Sequence, residues 1–240
     1  MKKSSFHLIA GSLTLFICVS VQAATLYTYT SFDVDIAGAN NTRAYGIDGS
    51  NIVGYYKDSG GDRHGFKYDG SNYTTLDYPQ ATRTYARDID GSNIVGYYKD
   101  GSGDYHSFKY DGSNWTTFDV DIAGANNTRA YGIDGSNIVG RYTDSSGNYR
   151  GFKYDGSSYT ALDATSLGAA ETRAYAIDGS NIVGYYADGS GDYHGFKYDG
   201  SNYTALDRCL ASSGPQPFRR RSHDGIHTGR QQHRIQCQRR

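Results

Sequence analysis

The sequence is poor in cysteine, glutamate, methionine and long apolar runs. Its three cysteines are Cys18, Cys209 and Cys237, so residues 24–207 contain none. A disulfide framework is therefore excluded for that part of the chain. Glu171 is the only glutamate, and the chain has a single methionine. Because residues of this kind favour helices, their scarcity argues against a helical protein.

One long apolar run stands near the N-terminus. It covers about residues 8–21, follows Lys2 and Lys3, and leads to a small-x-small cleavage pattern. Residues 1–23 are therefore predicted to be a signal peptide. Cys18 is not preceded by a small residue, which favours soluble export over a lipoprotein, so a secreted, extracellular or periplasmic location in a bacterium is expected. No later run is long enough for a membrane helix, and no membrane insertion is expected.

Charge is distributed unevenly along the chain. Residues 24–207 carry 14 Lys and Arg against 24 Asp and Glu, whereas residues 208–240 carry eight arginines and one aspartate. The negative body disfavours nucleic acid as a partner. Residues 208–240 are predicted to be a basic disordered tail, with binding to an anionic polymer as one hypothesis. Because this tail contains no landmark of the repeat described next, a shift of reading frame near Asp207 is the other hypothesis.

Glycine and tyrosine are abundant, and they follow a repeat. The eight letters IDGSNIVG occur four times without change, at residues 47–54, 89–96, 133–140 and 177–184. Successive copies are 42, 44 and 44 residues apart, a period typical of solenoids, propellers or arrays. The strict register argues against disorder. It defines one domain over residues 24–207, with units at about 42–77, 82–119, 128–163 and 172–207.

Each unit is predicted to fold as four short antiparallel strands. In the first unit the strands are expected at residues 42–48, 51–57, 63–68 and 73–77, separated by turns rich in Asp, Gly and Ser. A meander of this length matches one blade of a β-propeller. Parallel β-helix rungs are shorter, a helical repeat needs a 3.6-residue apolar period, and a sandwich does not need hairpins at a fixed interval. The predicted fold class is all-β, a β-propeller of four four-stranded antiparallel blades.

The start of the domain repeats only the end of a unit. Residues 27–33 match a fourth strand, because Asp33 lies 44 residues before Asp77. This lone closing strand needs three more strands at the C-terminus to complete a fifth blade, and residues 208–240 lack their sequence. We therefore expect a fifth blade that is lost or incomplete. Such a ring exposes the faces of two neighbouring blades, and a monomer is expected unless the ring is open.

The unit A-x-G-I followed by I-V-G-x-Y and H-G-F resembles the HAF family of extracellular repeats, named for a His-Ala-Phe signature. The triplets here are His64-Gly65-Phe66, His106-Ser107-Phe108, Arg150-Gly151-Phe152 and His194-Gly195-Phe196. None has the middle alanine, and the third lacks the histidine. The resemblance covers residues 29–207. It implies bacterial export and a propeller-like repeat, with no established catalytic residues.

Two sets of repeated side chains are the candidate ligand-binding residues. Tyrosine pairs recur on the second strand, and because successive residues face opposite ways, one ring of a pair is expected in the core and the other exposed. The candidate ligand-binding tyrosines are Tyr55, Tyr97, Tyr142 and Tyr185. Arginines at the start of the first strand would line one mouth of a propeller channel and bind an anion, or else pair with nearby aspartates. These are Arg43, Arg83, Arg129 and Arg173.

Metal sites are a weaker interpretation of the repeated acidic and imidazole groups. The turn at residues 58–62 and its equivalents offer oxygens that suit calcium, but Asp, Gly and Ser also favour a hairpin turn for backbone reasons. His64, His106 and His194 occur one per blade, around a ring, whereas zinc would need them to converge. No metal or cofactor is therefore expected, with calcium at the Asp-rich turns as the alternative. The histidines are expected to pack and to form hydrogen bonds.

The sequence favours a binding protein over an enzyme. It contains no nucleophile elbow, metal cluster or phosphate loop, and a catalytic residue would normally occur once rather than in every blade. Repeated aromatic positions suit stacking on sugar rings and multivalent binding of a polymer. The expected function is a non-catalytic multivalent binding module for a glycan or cell-surface polymer. A structural or matrix scaffold is the alternative, and a polysaccharide hydrolase is the third hypothesis.

Overall fold

The computed structural model describes residues 33–206, which form four sheets and a 3-10 helix at Thr165–Leu167. Each sheet is an antiparallel meander of four strands in chain order, which we call a blade. The first blade contains β1 (Asn40–Asp48), β2 (Asn51–Lys57), β3 (Arg63–Tyr68) and β4 (Tyr73–Leu76). The second contains β5 (Arg83–Asp90), β6 (Asn93–Lys99), β7 (Tyr105–Tyr110) and β8 (Trp115–Phe118). The third contains β9 (Asn126–Asp134), β10 (Asn137–Thr143), β11 (Tyr149–Tyr154) and β12 (Tyr159–Leu162). The fourth contains β13 (Ala169–Asp178), β14 (Asn181–Asp188), β15 (Tyr193–Tyr198) and β16 (Tyr203–Ala205).

The all-β class and the four four-stranded antiparallel blades are confirmed. In the first blade β2 and β3 have the predicted bounds, while β1 begins two residues earlier than predicted and β4 ends one residue sooner. The signal peptide at residues 1–23, the strand proposed from residue 27 and the tail at residues 208–240 lie outside the described residues. Among the described residues, no helix has the length and apolar character that a membrane crossing requires.

The letters IDGSNIVG build a tight hairpin between the first and second strands. Asp48 pairs with Asn51, which leaves Gly49 and Ser50 as a two-residue loop. Gly49 has a φ of 58°, the positive value that the first central residue of a type II′ turn needs. The equivalent glycines have φ values of 58°, 59° and 56°, at Gly91, Gly135 and Gly179 respectively. The turn therefore explains why this glycine does not vary.

The valine of the repeat packs each blade onto the next. Val53 of the first blade contacts the cluster of Ile89 and Phe108 in the second blade. Val95 joins the second blade to the third in the same way, and Val139 joins the third to the fourth. All three valines are fully buried. Much of the hydrophobic core therefore lies between blades.

The aspartate of the repeat forms a second link between blades. Its carboxylate accepts a hydrogen bond from the backbone N–H of the turn glycine in the following blade. The three bonds are Gly91 N to Asp48 Oδ2 (2.7 Å), Gly135 N to Asp90 Oδ2 (2.6 Å) and Gly179 N to Asp134 Oδ2 (2.6 Å). A charged acceptor makes such bonds stronger than neutral ones. The same eight residues thus form the hairpin turn, contribute a valine to the hydrophobic core and supply the aspartate that bonds to the next blade.

The row of blades is open at both ends. Ile47 on β1 is 67% exposed, whereas Ile89 and Ile133 at the equivalent positions are 4% and 5% exposed. At the other end Val183 is 41% exposed and Leu206 is 58% exposed. Among the described residues, no strand of the first blade packs extensively on a strand of the fourth. Among the described residues, part of a junction face is therefore uncovered on each terminal blade, as expected of an incomplete propeller.

Candidate functional site

Three strands of every blade contribute to one continuous group of buried and partly exposed arginines and tyrosines, which we call the Arg–Tyr band. The first strand supplies the residues on either side of an alanine, namely Arg43 and Tyr45, Tyr85 and Arg87, Arg129 and Tyr131, and Arg173 and Tyr175. The second strand supplies the residues that pair with the first member of each couple, namely Tyr55, Tyr97, Arg141 and Tyr185. The third strand supplies its first residue, namely Arg63, Tyr105, Tyr149 and Tyr193. The band therefore crosses all four blades.

Seven tyrosine rings in the band contact one another in an unbroken chain. Within blades the rings stack, and between blades they meet edge to face or stack, both of which are favoured geometries for aromatic pairs. The centroid distances are 5.7 Å for Tyr45–Tyr55, 5.2 Å for Tyr55–Tyr85, 4.6 Å for Tyr85–Tyr97, 5.8 Å for Tyr97–Tyr131, 4.8 Å for Tyr131–Tyr175 and 5.4 Å for Tyr175–Tyr185. This chain spans the three junctions between the blades.

Arginines lie over the faces of these rings. The Arg87 guanidinium is 3.7 Å from the centroid of Tyr45, and the Arg129 guanidinium is 3.7 Å from that of Tyr105. Arg141 stands 3.9 Å from the ring of Tyr149. A guanidinium at this distance is attracted by the electron-rich face of the ring. Cation–π contacts therefore hold cations along the whole band.

The band has far more cations than anions. Its six arginines are Arg43, Arg63, Arg87, Arg129, Arg141 and Arg173. Arg173 pairs with Glu171, whose Oε2 is 2.9 Å from Nη2. Among the described residues, no carboxylate lies within ion-pair distance of the other five. The band is thus a positive surface on a body whose sequence is strongly negative.

Stacking also encloses part of each guanidinium group. Four Nε atoms are buried and have no hydrogen-bond partner among the described residues, namely those of Arg63, Arg87, Arg129 and Arg173. A buried donor without an acceptor costs about 1–3 kcal/mol. The aromatic packing tolerates this cost. Arg173 already uses its terminal nitrogens on Tyr185 and Glu171, and Arg63 uses Nη1 on Tyr85, so Arg129 is the better placed of these arginines to meet an external anion.

Burial keeps the phenol of Tyr97 protonated. Burial raises the pKa of Tyr97, and the neighbouring Tyr131 raises it further, while the charges of Arg87 and Arg129 lower it only in part. A protonated phenol donates a hydrogen bond and adds no negative charge to the band. The positive character of the band is therefore preserved around this buried ring.

The predicted tyrosines divide between two faces. Tyr55, Tyr97 and Tyr185 belong to the band, where the first two are buried and Tyr185 is half-buried. Tyr56, the neighbour of Tyr55, is buried as well. The expectation of one exposed ring in each pair is therefore wrong for the first blade, because both faces of its second strand are covered.

Tyr142 does not belong with the other three predicted tyrosines. It pairs with Arg150 on β11, as Tyr56 pairs with His64 on β3, and it lies in the buried cluster around Phe152. The band position in the third blade is occupied by Arg141 instead. The grouping of Tyr142 with Tyr55 is corrected, since the Arg-Tyr order of this blade shifts the tyrosine to the opposite face.

Arg83 likewise does not occupy the same position in its strand as the other three predicted arginines. It pairs with Lys99, and the residue that pairs with Tyr97 is Tyr85. Arg83 Nε instead lies 4.0 Å from Asp62 Oδ1, so the predicted pairing with aspartate applies to this one member of the set. The second blade reads Tyr-Ala-Arg where the others read Arg-Ala-Tyr. Aligning the units on this alanine would have found Tyr85 and Arg87, which the sequence reasoning missed.

The histidines form a separate set of contacts on the other face of the blades. His64 Nδ1 is 2.8 Å from Asp77 Oδ2, its Nε2 is 3.4 Å from Asp58 Oδ2, and its ring stacks on Tyr56. His106 repeats this arrangement with Asp119 and Asp100. The prediction that the histidines pack and form hydrogen bonds is confirmed for these two and for His194, whose Nε2 is 3.2 Å from Asp188 Oδ2 and whose ring stacks on Tyr186. In the third blade Arg150 takes the place of the histidine and pairs with Asp144.

The Asp-rich turns use their carboxylates to close the backbone. Asp58 Oδ1 accepts a hydrogen bond from the Asp62 N–H at 2.9 Å, and Asp100 Oδ1 accepts bonds from the N–H groups of Gly103 and Asp104. This confirms the turn interpretation of the sequence. Within residues 33–206 no cluster of three or more metal-ligating side chains occurs. Calcium at these turns stays an alternative without support from the geometry.

Comparison with solved structures identifies the architecture. The β-propeller domain of the Trilobed protease from Pyrococcus furiosus, described as having an open velcro topology, matches with a TM-score of 0.51 and 15% identity. The match covers 70% of this chain and 52% of that one. At this identity the similarity shows the fold alone. Together with the four meanders, it defines the described residues as a propeller-like array of blades.

Other solved propellers match less well. The six-bladed fucose-binding lectin of Aleuria aurantia has a TM-score of 0.43 and 19% identity over 70% of this chain and 61% of the lectin. Trypanosoma rangeli sialidase has a TM-score of 0.42 and 10% identity over 70% of this chain and 38% of that protein. This chain therefore spans less than two thirds of each structure named here. No family model and no curated protein matches the sequence, so the resemblance to HAF repeats stays a prediction.

Proposed function

We propose that the protein is an exported, non-catalytic module that binds acidic glycans through the Arg–Tyr band. The observation that carries this proposal is the presence of five arginines without a carboxylate partner beside a continuous row of tyrosine rings. Arginines already paired with aspartate would have little charge left to offer. Here the cations are held in place by aromatic faces, so their charge is available to a ligand.

The chemistry of the band suits a carboxylated sugar polymer. A guanidinium presents a planar fork of donors that matches a carboxylate, and it is less strongly hydrated than an ammonium group. The edges of the half-buried rings offer apolar contact to the faces of sugar rings. Because similar groups recur in four blades, one polymer chain can contact several of them, which raises its apparent affinity.

Hydrolysis suits the band less well than binding does. Glycoside hydrolysis usually places two carboxyl groups on either side of the scissile bond, one as an acid and one as a base or nucleophile. Among the described residues, Glu171 is the one carboxylate within ion-pair distance of a band arginine, at 2.9 Å from Arg173, so the band does not offer the pair of carboxyl groups that hydrolysis uses.

The test compares acidic and neutral polymers of similar length. Polygalacturonate and dextran are titrated into the purified chain by isothermal calorimetry at low and high salt. We expect binding of polygalacturonate that weakens as salt screens the charges, and no comparable binding of dextran. The variant Arg129→Gln should weaken binding about tenfold, since a charge-assisted hydrogen bond contributes about 1.5–3 kcal/mol.

Arg150→Gln is the matched control. It removes the same charge from the other face of a blade, where Arg150 is paired with Asp144, and it should leave the affinity unchanged. Equal affinity for the acidic and the neutral polymer would contradict the proposal. If neither polymer binds while the protein stays folded, the scaffold hypothesis is favoured instead. Release of reducing ends from either polymer would favour the hydrolase.

A further inference from the structure

The two open ends of the blade row are the two halves of a junction that the protein already forms three times. The free side of the fourth blade corresponds to the side of the first three blades that carries Val53, Val95 and Val139. The free side of the first blade corresponds to the side of the later blades that receives these valines. Each end is therefore shaped to receive the other.

The apolar part of the junction is complete at both ends. In the second blade, Ile89 and Ala86 are buried against Val53 of the first blade. Their equivalents in the first blade are Ile47 and Ala44, and both are exposed. Val183, the equivalent of Val53, is exposed at the far end of the row. A contact between Val183 and Ile47 would repeat the packing of the internal junctions.

The polar part of the junction is also present. At each internal junction an aspartate at the end of the first strand accepts the N–H of the next turn glycine, as in Asp134 and Gly179. Asp178 is the equivalent acceptor of the fourth blade, and Gly49 is the equivalent donor of the first blade. Among the described residues, no blade follows Asp178 to supply this N–H.

A groove in the fourth blade matches an exposed arginine of the first. The groove has a volume of about 350 Å³ and is lined by Tyr185, Tyr193, His194 and Gly195. At the internal junction between the second and third blades, the equivalent rings of Tyr97 and Tyr105 lie 5.5 and 3.7 Å from the guanidinium of Arg129. Arg43 is the equivalent of Arg129 in the first blade, and it is exposed.

From these three matching contacts we propose that the open face of the fourth blade binds the first blade of a second copy of this chain, head to tail. Val183 packs on Ile47 of the second copy, Asp178 accepts the N–H of its Gly49, and its Arg43 fills the groove between Tyr185 and Tyr193. The interface is heterologous, so association continues until the ring of blades closes. This assembly does not depend on the binding of a glycan.

The chain's own remaining segments are the competing occupants. Neither residues 1–32 nor residues 207–240 contain a copy of IDGSNIVG, so neither supplies the isoleucine, the turn glycine and the arginine in their junction spacing. The first blade of another copy supplies all three. The repeat that forms the internal junctions therefore favours a second copy over these segments.

The test measures mass in solution by size-exclusion chromatography with light scattering over a concentration series. We expect the purified chain to have a multiple of the monomer mass. Ile47→Asp and Val183→Asp each place a charge in one half of the junction and should each give monomers. Because these variants damage opposite halves, an equimolar mixture should restore one junction and give a dimer.

Thr74→Asp and Thr160→Asp are the controls, since both threonines are exposed on the fourth strands of blades. They share a sheet face with Val53 and Val139, which is turned to an internal junction and not to either open end. They should keep the mass of the unaltered chain. A monomer at every concentration would overturn the proposal, as would a mixture of the two junction variants that stays monomeric. Circular dichroism of each variant establishes that loss of mass is not loss of fold.

Discussion

At the scale of single residues, the glycine that ends each IDGSNIVG is required by close packing. A Cβ on Gly96 would overlap the carbonyl oxygen of Tyr85 and would approach the ring of Phe108 within 2.9 Å. Neither neighbour can yield easily, because Tyr85 belongs to the paired strand and Phe108 is fully buried. The glycine therefore sets how closely the first and second strands and the phenylalanine approach.

Gly96→Ala should accordingly destabilise the protein by about 3 kcal/mol, the upper part of the range for overpacked cores. Urea unfolding followed by tyrosine fluorescence measures the loss. Gly101→Ala is the control, because a Cβ there meets nothing within 4 Å and the residue does not have a positive φ. It should change the free energy of unfolding by less than about 0.5 kcal/mol. Similar losses for the two variants would show that the packing argument is wrong.

The histidine pairs should make stability depend on pH. Burial lowers the pKa of His106, but hydrogen bonds and charge from Asp119 and Asp100 outweigh it and raise the pKa above the ordinary value of 6.5. His64 behaves in the same way with Asp77 and Asp58. A raised folded pKa stabilises the protein fully below the unfolded pKa, and this stabilisation is lost as pH rises through the folded pKa.

We therefore expect the unfolding midpoint in urea to fall between about pH 6 and about pH 8. The double variant His64→Gln with His106→Gln should show a shallower fall, because two of the titrating groups are gone. His7, His194 and the histidines beyond residue 206 keep their contribution in both proteins, so the comparison isolates the two pairs. Parallel curves for the variant and the unaltered chain would contradict the assignment.

At the scale of strands and turns, the aspartate that closes each first strand couples neighbouring blades. Asp90→Ala removes the acceptor of the Gly135 N–H, a bond of 2.6 Å. We expect a loss of about 1 kcal/mol, since the bond is charge-assisted but exposed to solvent. Asp104→Ala is the matched control in the same blade, because Asp104 is exposed and lies in a hairpin turn away from the junction. Equal unfolding midpoints for the two variants would exclude a role for the junction bond.

The strands were predictable from sequence because their signals are local. Gly49 and its equivalents mark the turn, and the residues between turns have the length of short strands, so β2 and β3 were placed without error. The site was less predictable, because it forms between strands of different blades. Tyr85 and Arg87 exchange order within one strand, so their equivalence to Arg43 and Tyr45 is missed unless the units are aligned on the alanine, and the pairing of Tyr85 with Tyr97 establishes it.

At the scale of the whole molecule, each blade of the described residues contacts mainly its neighbours, as the units of a repeat stack do. In such stacks the stability is close to a sum of unit and junction contributions, and the end units lack one junction each. The same residue then contributes more to the free energy of unfolding at an internal junction than at an open end. The four copies of IDGSNIVG allow this to be measured with the same substitution at different places.

Val139→Ala and Val183→Ala are such a pair, because Val139 is fully buried at the last internal junction and Val183 is exposed at the open end. The loss of two buried methyl groups should cost about 2 kcal/mol at position 139 and less than half of that at position 183. Urea unfolding at low protein concentration gives both values. If a second copy covers the open end, the cost at position 183 should rise towards that at position 139 as the concentration increases, because association then depends on the buried valine. Equal costs at low concentration would mean that Val183 is already covered within a single chain, which contradicts an open row of blades.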